Sequence, residues 1–237
     1  LDIQGKPIET DLNMSFYDSL TGNLLHNFYH TMNARGKPDT MYLEALNTYN
    51  LVVHTIPPVS LEGIKLKPNQ HNVISLSSPQ GELEVKLQAL SIKNTYRNKI
   101  RYILRKAGDK KIVNIEHLDV TTKYLVGEYD LEILTLPRTI IKGINISQDK
   151  KTSLQIPNPG MASITSIYPG VGGIFEIKNG RMIKVYSLGG KEVLREVLAM
   201  QPGSYKIIFR PYKATQSEST IEKTFTIQSD KSIIVKV

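Results

Sequence analysis

Three short stretches alternate an aromatic or aliphatic side chain with a mostly polar one: Tyr49-Asn-Leu51-Val-Val53, Tyr129-Asp-Leu131-Glu-Ile133 and Tyr205-Lys-Ile207-Ile-Phe209. Positions i, i+2 and i+4 line one face of a strand, so each stretch predicts a strand with its tyrosine facing a core. Asn50, Asp130, Glu132 and Lys206 fall on the other face. Gly127 and Gly203 stand two residues before their tyrosines, and Asn47 holds that place in the first copy. Glycine and asparagine both tolerate positive φ, so one shared tight turn is expected ahead of all three strands. The tyrosines lie about 80 residues apart, which predicts three repeats, 1–77, 78–157 and 158–237.

Within the first repeat, alternation predicts a strand at 12–16, a turn at 18–23 and a loop at 34–40 around Gly36 and Pro38. Residues 24–33 fit a strand or a short helix equally. The tyrosine strand is closed by Pro57-Pro58, and a hairpin is expected to pair 64–66 with 73–76. An offset of 80 carries Pro57, Gly63, Ile64, Leu66, Ile74 and Leu76 onto Pro137, Gly143, Ile144, Ile146, Leu154 and Ile156. The second repeat opens on an alternating strand, Leu83-Glu-Val85-Lys-Leu87, followed by a strand at 99–106. In the third, Phe175-Glu-Ile177, the Asn179-Gly180 hairpin turn and a strand at 183–186 precede the tyrosine strand. A hairpin of 224–227 with 233–237 follows. Aligning the aromatic strands at Tyr17, Tyr102 and Tyr186 puts the counterpart of Leu83 upstream of Leu1. The first repeat is therefore expected to be clipped at its leading strand, with the chain a processed or excised piece.

Short strands broken by Gly, Pro and Asn turns read as an all-β chain of three tandem Ig-like or prealbumin-like β-sandwich domains. Units this small have thin cores, and without cysteine they have no disulfides to help. Packing between domains is expected to supply part of the stability, with prolines at the junctions limiting hinge motion, in a jointed rod.

Net charge is +8, carried as −2, +5 and +5 by the three repeats. A basic surface serves solubility or contact with polyanions. No apolar run approaches the length of a membrane-spanning helix. The sequence has no Gly-x-Ser-x-Gly, phosphate loop or cluster of metal-spaced acids, and no cofactor or enzymatic activity is expected. His26 and His30 have metal-ligand spacing only if helical, with no third ligand nearby, and read as a surface pair. Asn13-Met-Ser15 and Asn145-Ile-Ser147 fit a glycosylation acceptor, a common triplet.

The one stretch with binding chemistry runs over 93–111, where Lys93, Arg97, Lys99, Arg101, Arg105, Lys106, Lys110 and Lys111 face a single acid, Asp109. On a strand, Arg97, Lys99, Arg101 and Arg105 share one face, and Ile100, Tyr102 and Leu104 the other. Arg97, Lys99, Arg101, Arg105 and Lys106 are thus the candidate contact for an acidic glycan or another polyanion. The plainer reading is the solvent face of an edge strand guarded by its charges. No aromatic lies on the basic face, which argues against single-stranded nucleic acid.

Gly127-Glu-Tyr129-Asp-Leu131 and Gly203-Ser-Tyr205-Lys-Ile207 resemble the turn-strand pattern of prealbumin-like and carboxypeptidase-regulatory-like modules. The stretches 52–59 (VVHTIPPV), 79–81, 124–138 (YLVGEYDLEILTLPR) and 201–205 are similar to the C-terminal tail of secreted bacterial von Willebrand factor A-domain proteins. The resemblance spans nearly the whole chain and is structural, and the metal motif of the A-domain is absent from the sequence. It implies an extracytoplasmic, adhesive or scaffolding parent and a covalently linked N-terminal domain. Protein or acidic-glycan ligands, no nucleic acid and no membrane span complete the expectation.

Overall fold

The computed structural model describes residues 1–7, 12–38, 40–88, 100–190, 194–213 and 219–237. These form strands and turns, with no α-helix among the described residues. The protein is all-β, a tandem series of β-sandwich units.

In the first unit, β1 (Asn13–Asp18), β2 (Leu24–Tyr29), β3 (Thr48–Val53) and β4 (Val59–Lys65) make one antiparallel sheet in the order β2-β1-β3-β4. The second unit comprises β5 (Gln80–Leu87), β6 (Arg101–Lys106), β7 (Ile112–His117), β8 (Thr121–Leu125), β9 (Gly127–Ile133), β10 (Thr139–Ile146) and β11 (Lys151–Ile156). Its sheets are β10-β9-β6-β7 and β11-β5-β8. The third repeats this plan with β12 (Gly160–Thr165), β13 (Gly170–Lys178), β14 (Arg181–Gly189), β15 (Arg195–Met200), β16 (Gly203–Pro211), β17 (Ile221–Ile227) and β18 (Ser232–Lys236). Its sheets are β14-β13-β16-β17 and β15-β12-β18. The four-stranded sheet is thus the same in all three units, and the three-stranded sheet faces it in the second and third.

The repeated tyrosine strands are β3, β9 and β16, and their alternation is the burial pattern observed. Tyr49, Leu51 and Val53, then Tyr129, Leu131 and Ile133, then Tyr205, Ile207 and Phe209 are all buried. Each tyrosine hydroxyl donates back to a carbonyl just upstream: Glu44 O at 2.9 Å, Leu125 O at 2.8 Å and Gln201 O at 2.7 Å. This bond, rather than one backbone conformation, is what the three turns share. Gly127 alone of the three preceding residues has positive φ, at 155°. The expected common left-handed turn is therefore not formed at Asn47 or Gly203. The residue after the tyrosine is constrained as well, since Asn50 and Asp130 each accept the N–H of a bulge glycine, Gly63 at 2.9 Å and Gly143 at 3.1 Å. Both glycines have φ near 70° and lie where the next strand slips register.

Of the two readings open for 24–33, the strand holds at 24–29, where β2 pairs with β1. Other expectations are corrected. The two terminal hairpins do not form. After β10 the chain crosses to the opposite sheet, where β11 runs parallel to β5, and β18 likewise runs parallel to β12. Ile156 and Val235 can then face the core from the other side, which a hairpin would not allow. The partners of the tyrosine strands are β1, β6 and β13, with Met14 opposite Val53, Tyr102 opposite Ile133 and Gly172 opposite Phe209. The strand of Tyr17, β1, is the counterpart of β6, with Met14 rather than Tyr17 at the place of Tyr102, whereas Tyr186 belongs to the hairpin partner β14, one strand further out. The Asn179-Gly180 turn joins β13 and β14 as expected, with both residues at positive φ.

Candidate functional site

The basic stretch divides in the structure. Lys93, Arg97 and Lys99 lie outside the described residues. Arg101, Arg105 and Lys106 are on β6, which is an interior strand between β9 and β7, so the edge-strand reading is overturned. Tyr102 and Leu104 are buried as alternation requires, and the outward side chains are Arg101, Ile103 and Arg105. Being interior gives this face an acidic neighbour. Ile103 lies opposite Glu132 and Arg105 opposite Asp130 on β9. Arg105 Nη1 donates to Glu132 Oε2 at 2.8 Å, and Arg138 Nη1 donates to Glu132 Oε1 at 2.6 Å. Glu132 is thus gripped between two guanidinium groups, its side chain 15% exposed, and they hold its carboxyl below the usual range, Arg138 foremost. Asp130 is likewise held low by the N–H groups of Gly108 and Gly143. Arg105 is therefore part of an internal charge cluster, and Arg101 and Lys106 remain exposed, as do Lys110 and Lys111 in the following turn. The missed signal was present in the tyrosine strand itself, whose polar positions Asp130 and Glu132 mark the acids that meet β6.

The rest of the chain offers little chemistry. Among the described residues no three potential metal ligands come together. His26 lies on β2, so its spacing from His30 is not that of a helix face. His54 Nε2 is 2.7 Å from Ser15 Oγ. A cleft of about 350 Å³ is lined by Lys223, Thr224, Phe225, Ile233, Ile234, Val235 and Lys236, with no carboxylate or imidazole side chain. Of the two glycosylation triplets, Asn145 is exposed and Asn13 half-buried.

What the structure does repeat is a joint between successive units, assembled from residues the sequence pattern marked for other reasons. Ile56 and Leu136 each follow a tyrosine strand and each precede a proline. Ile56 O accepts the N–H of Leu125 at 2.9 Å, and Leu136 O that of Gln201 at 2.7 Å. Leu125 and Gln201 are the residues whose carbonyls take the Tyr129 and Tyr205 hydroxyls. The Ile56 side chain packs against the second core and that of Leu136 against the third. Behind them, Thr55 Oγ1 donates to Pro57 O at 2.6 Å and Thr135 Oγ1 to Pro137 O at 2.7 Å. Each junction is thus an apolar plug, a backbone hydrogen bond and a tyrosine that anchors the receiving loop. At the corresponding place after Tyr205 stands Tyr212, 56% exposed, with its N–H on Pro169 O.

No helix among the described residues is long and apolar enough to cross a membrane. No protein-family profile and no curated protein matches the chain. Solved structures do match across it. They include the TIE protein of Bacillus anthracis, at 14% identity, covering all of this chain and 48% of that one, with a TM-score of 0.26. A minor pilin of Streptococcus agalactiae matches at 12% identity over 68% of this chain and 94% of its own, with a TM-score of 0.32. The pilus adhesin SpaC of Lactobacillus rhamnosus GG matches at 9% identity over 99% of this chain and 42% of its own, with a TM-score of 0.24. The chain spans about half the length of the first of these. Such low identities and superpositions carry no argument about what the protein does.

Proposed function

We propose that the chain is a non-catalytic array of three modules, 1–77, 78–157 and 158–237, that spaces or presents an adjacent domain outside the cytoplasm. The observation that carries this reading is the recurrence of one joint. A plug, a backbone bond and a tyrosine anchor recur at Ile56 and Leu136, so successive modules are joined through the same set of contacts. Repetition of one joint, if it holds the units fixed, sets a distance, which is what a spacer supplies. The finer form, the tail of a secreted von Willebrand factor A-domain protein, draws on the residues quoted for that resemblance. It is tested by the intact mass of the native protein, detected with an antibody against this chain. Mass near that of the present chain would remove it.

Small-angle scattering tests the spacer. The wild-type chain is expected to give one sharply bounded distance distribution. A double variant, Leu125→Pro with Gln201→Pro, lacks both donor N–H groups and is expected to broaden it. A broad distribution for the wild type would sink the proposal.

Exposed Arg101, Lys106, Lys110 and Lys111 favour a second reading, contact with an acidic glycan, to which Arg97 and Lys99 would add. Retention on heparin that falls with salt and is lost in Arg101→Glu with Lys106→Glu supports it. No retention at low salt removes it. Arg105 already has a carboxylate partner in Glu132.

A further inference from the structure

The three-stranded sheets of the second and third units are built around a central strand. β5 runs antiparallel to β8 on one side and parallel to β11 on the other, and β12 stands the same way between β15 and β18. In the first unit, residues 72–76 hold the place of β11 at the 80-residue offset, and residues 40–44 hold that of β8, since Glu44 O takes the Tyr49 hydroxyl as Leu125 O takes that of Tyr129. Met41, Leu43, Ile74 and Leu76 pack against the first core from that side. Among the described residues, however, no strand lies between them. Both segments alternate exposed and half-buried side chains but belong to no ladder, and among the described residues their one backbone–backbone hydrogen bond is that of Leu76 O. Apart from Glu44 O and Leu76 O, the N–H and C=O groups of these two rims have no partner among the described residues, and over half-buried apolar side chains they mark a strand position unfilled there.

Leu1 shows what enters it. Its amino nitrogen lies 2.6 Å from Leu76 O, and its own carbonyl accepts the N–H of Ser78 at 3.1 Å. In the second unit the N–H of Gln88, the residue directly after β5, donates to Ile156 O at 2.9 Å. Ile156 and Leu76 are counterparts, so Leu1 stands in the place of Gln88, with its amino group directed where β5 would end.

We propose that the first unit is a strand-accepting sandwich whose slot is filled in cis, by an extended segment running into Leu1 from its amino side. The segment lies parallel to residues 72–76 and antiparallel to residues 40–44. The complete units specify its pattern. Leu83, Val85 and Leu87 face the core, so apolar residues belong at the first, third and fifth places before Leu1. Two places further back stands Gly81, whose added Cβ would lie 2.1 Å from Ser147 O. At the matching Gly160 the distance is 2.3 Å, to Gln228 O. The strand therefore enters beneath a turn that admits only glycine.

The test fuses a copy of residues 80–87 ahead of Leu1 in the full chain. A second version replaces the copies of Leu83, Val85 and Leu87 with Ser. Amide hydrogen exchange is read at 40–44 and 72–76. The patterned strand is expected to slow alternate amides in both segments by about 100-fold or more, and the serine version to leave them as in the parent. Equal exchange in all three chains, or equal protection by both extensions, overturns the proposal. Sedimentation gives the other occupant. A dimer of the parent chain that the patterned strand abolishes would mean that a second copy covers the slot, and would overturn the assignment in cis. A monomer with unprotected rims supports it.

Discussion

The first and second units share one sheet plan and about the same chain length, yet their interiors differ. Among the described residues, fourteen buried apolar residues form the second core, and four, Phe16, Tyr49, Leu51 and Val53, form the first. Their four-stranded sheets match to the bulge glycine and its Asn50 or Asp130 clamp. What separates them is β5, which brings Leu83, Val85 and Leu87 inside and seals the apolar faces opposite. Ile144, Ile146 and Ile156 are buried, while their counterparts Ile64, Leu66 and Leu76 are half-buried. A sandwich core is thus closed by its central strand, and a repeat that keeps the four-stranded sheet without that strand among the described residues holds only part of it. Calorimetry is expected to resolve two transitions, the first unit unfolding at the lower temperature. Substitution at matched positions gives the largest contrast. Ile156→Ala is expected to cost about 3–5 kcal/mol and lower the upper transition, as for a fully enclosed side chain. Leu76→Ala, at the rim of the slot, is expected to cost less than half of that. Equal losses would show the first core to be as closed as the second.

Gly81→Ala breaks the comparison from the other direction, by forcing the second unit toward the state of the first. The new methyl meets backbone rather than a movable side chain, so β5 must shift or leave its sheet, at a cost of about 3 kcal/mol. Exchange at the β8 and β11 amides should then rise toward that expected at 40–44 and 72–76. A variant with wild-type exchange would separate the slot from the closure of the core.

Alternation made the tyrosine strands legible in the sequence, because period two and burial on one face are the same fact. The offset of 80 exposed the repeat for the same reason: Pro137, Gly143 and Ile156 do in the second unit what Pro57, Gly63 and Leu76 begin in the first. Partner choice was not legible. Nothing local to Ile156 distinguishes a hairpin with β10 from a crossover to β5, since either gives it an apolar face, and the open edge of β5 decides. The basic stretch misled in a related way. Its charges lie along the chain, while the neutralisation of Arg105 by Glu132 runs across it from β9, some 27 residues away.

That cross-strand cluster has no basic partner strand in the first unit, where Ser15 and Tyr17 occupy the matching places on β1. Arg105→Ala leaves Glu132 with Arg138 alone and is expected to cost about 1–2 kcal/mol at neutral pH. The pH dependence separates the cluster from general packing. Because the folded carboxyl is held below its ordinary value of 4.5, the unfolded chain takes up the proton first as pH falls. The stabilisation is then complete above about pH 4.5 and lost as pH drops through the folded value. Glu132→Gln should flatten that part of the acid limb, whereas a limb unchanged by Glu132→Gln would assign acid unfolding to other groups.

The smallest effect sits at the joint. Tyr129 and Tyr205 anchor loops that receive a preceding unit, while Tyr49 makes the same hydroxyl bond with no unit ahead of it among the described residues. Tyr129→Phe removes one hydrogen bond to Leu125 O and is expected to cost about 1 kcal/mol. The loss should also loosen the Leu125 N–H bond to Ile56 O, so Leu125 exchange rises. Tyr49→Phe is expected to be similar in stability but to leave both junction amides protected. Alkali supplies an independent reading. Burial, helped by the neighbouring Tyr124, pushes the Tyr129 phenol up to about 12 from its ordinary 10. Between these values the unfolded chain has lost a proton that the folded chain keeps, so stability falls as pH rises through the window. Tyr129→Phe has no proton to lose there and should be flatter with pH than the wild type. If the two profiles coincide, Tyr129 ionises as freely folded as unfolded, and its hydroxyl does not hold the joint.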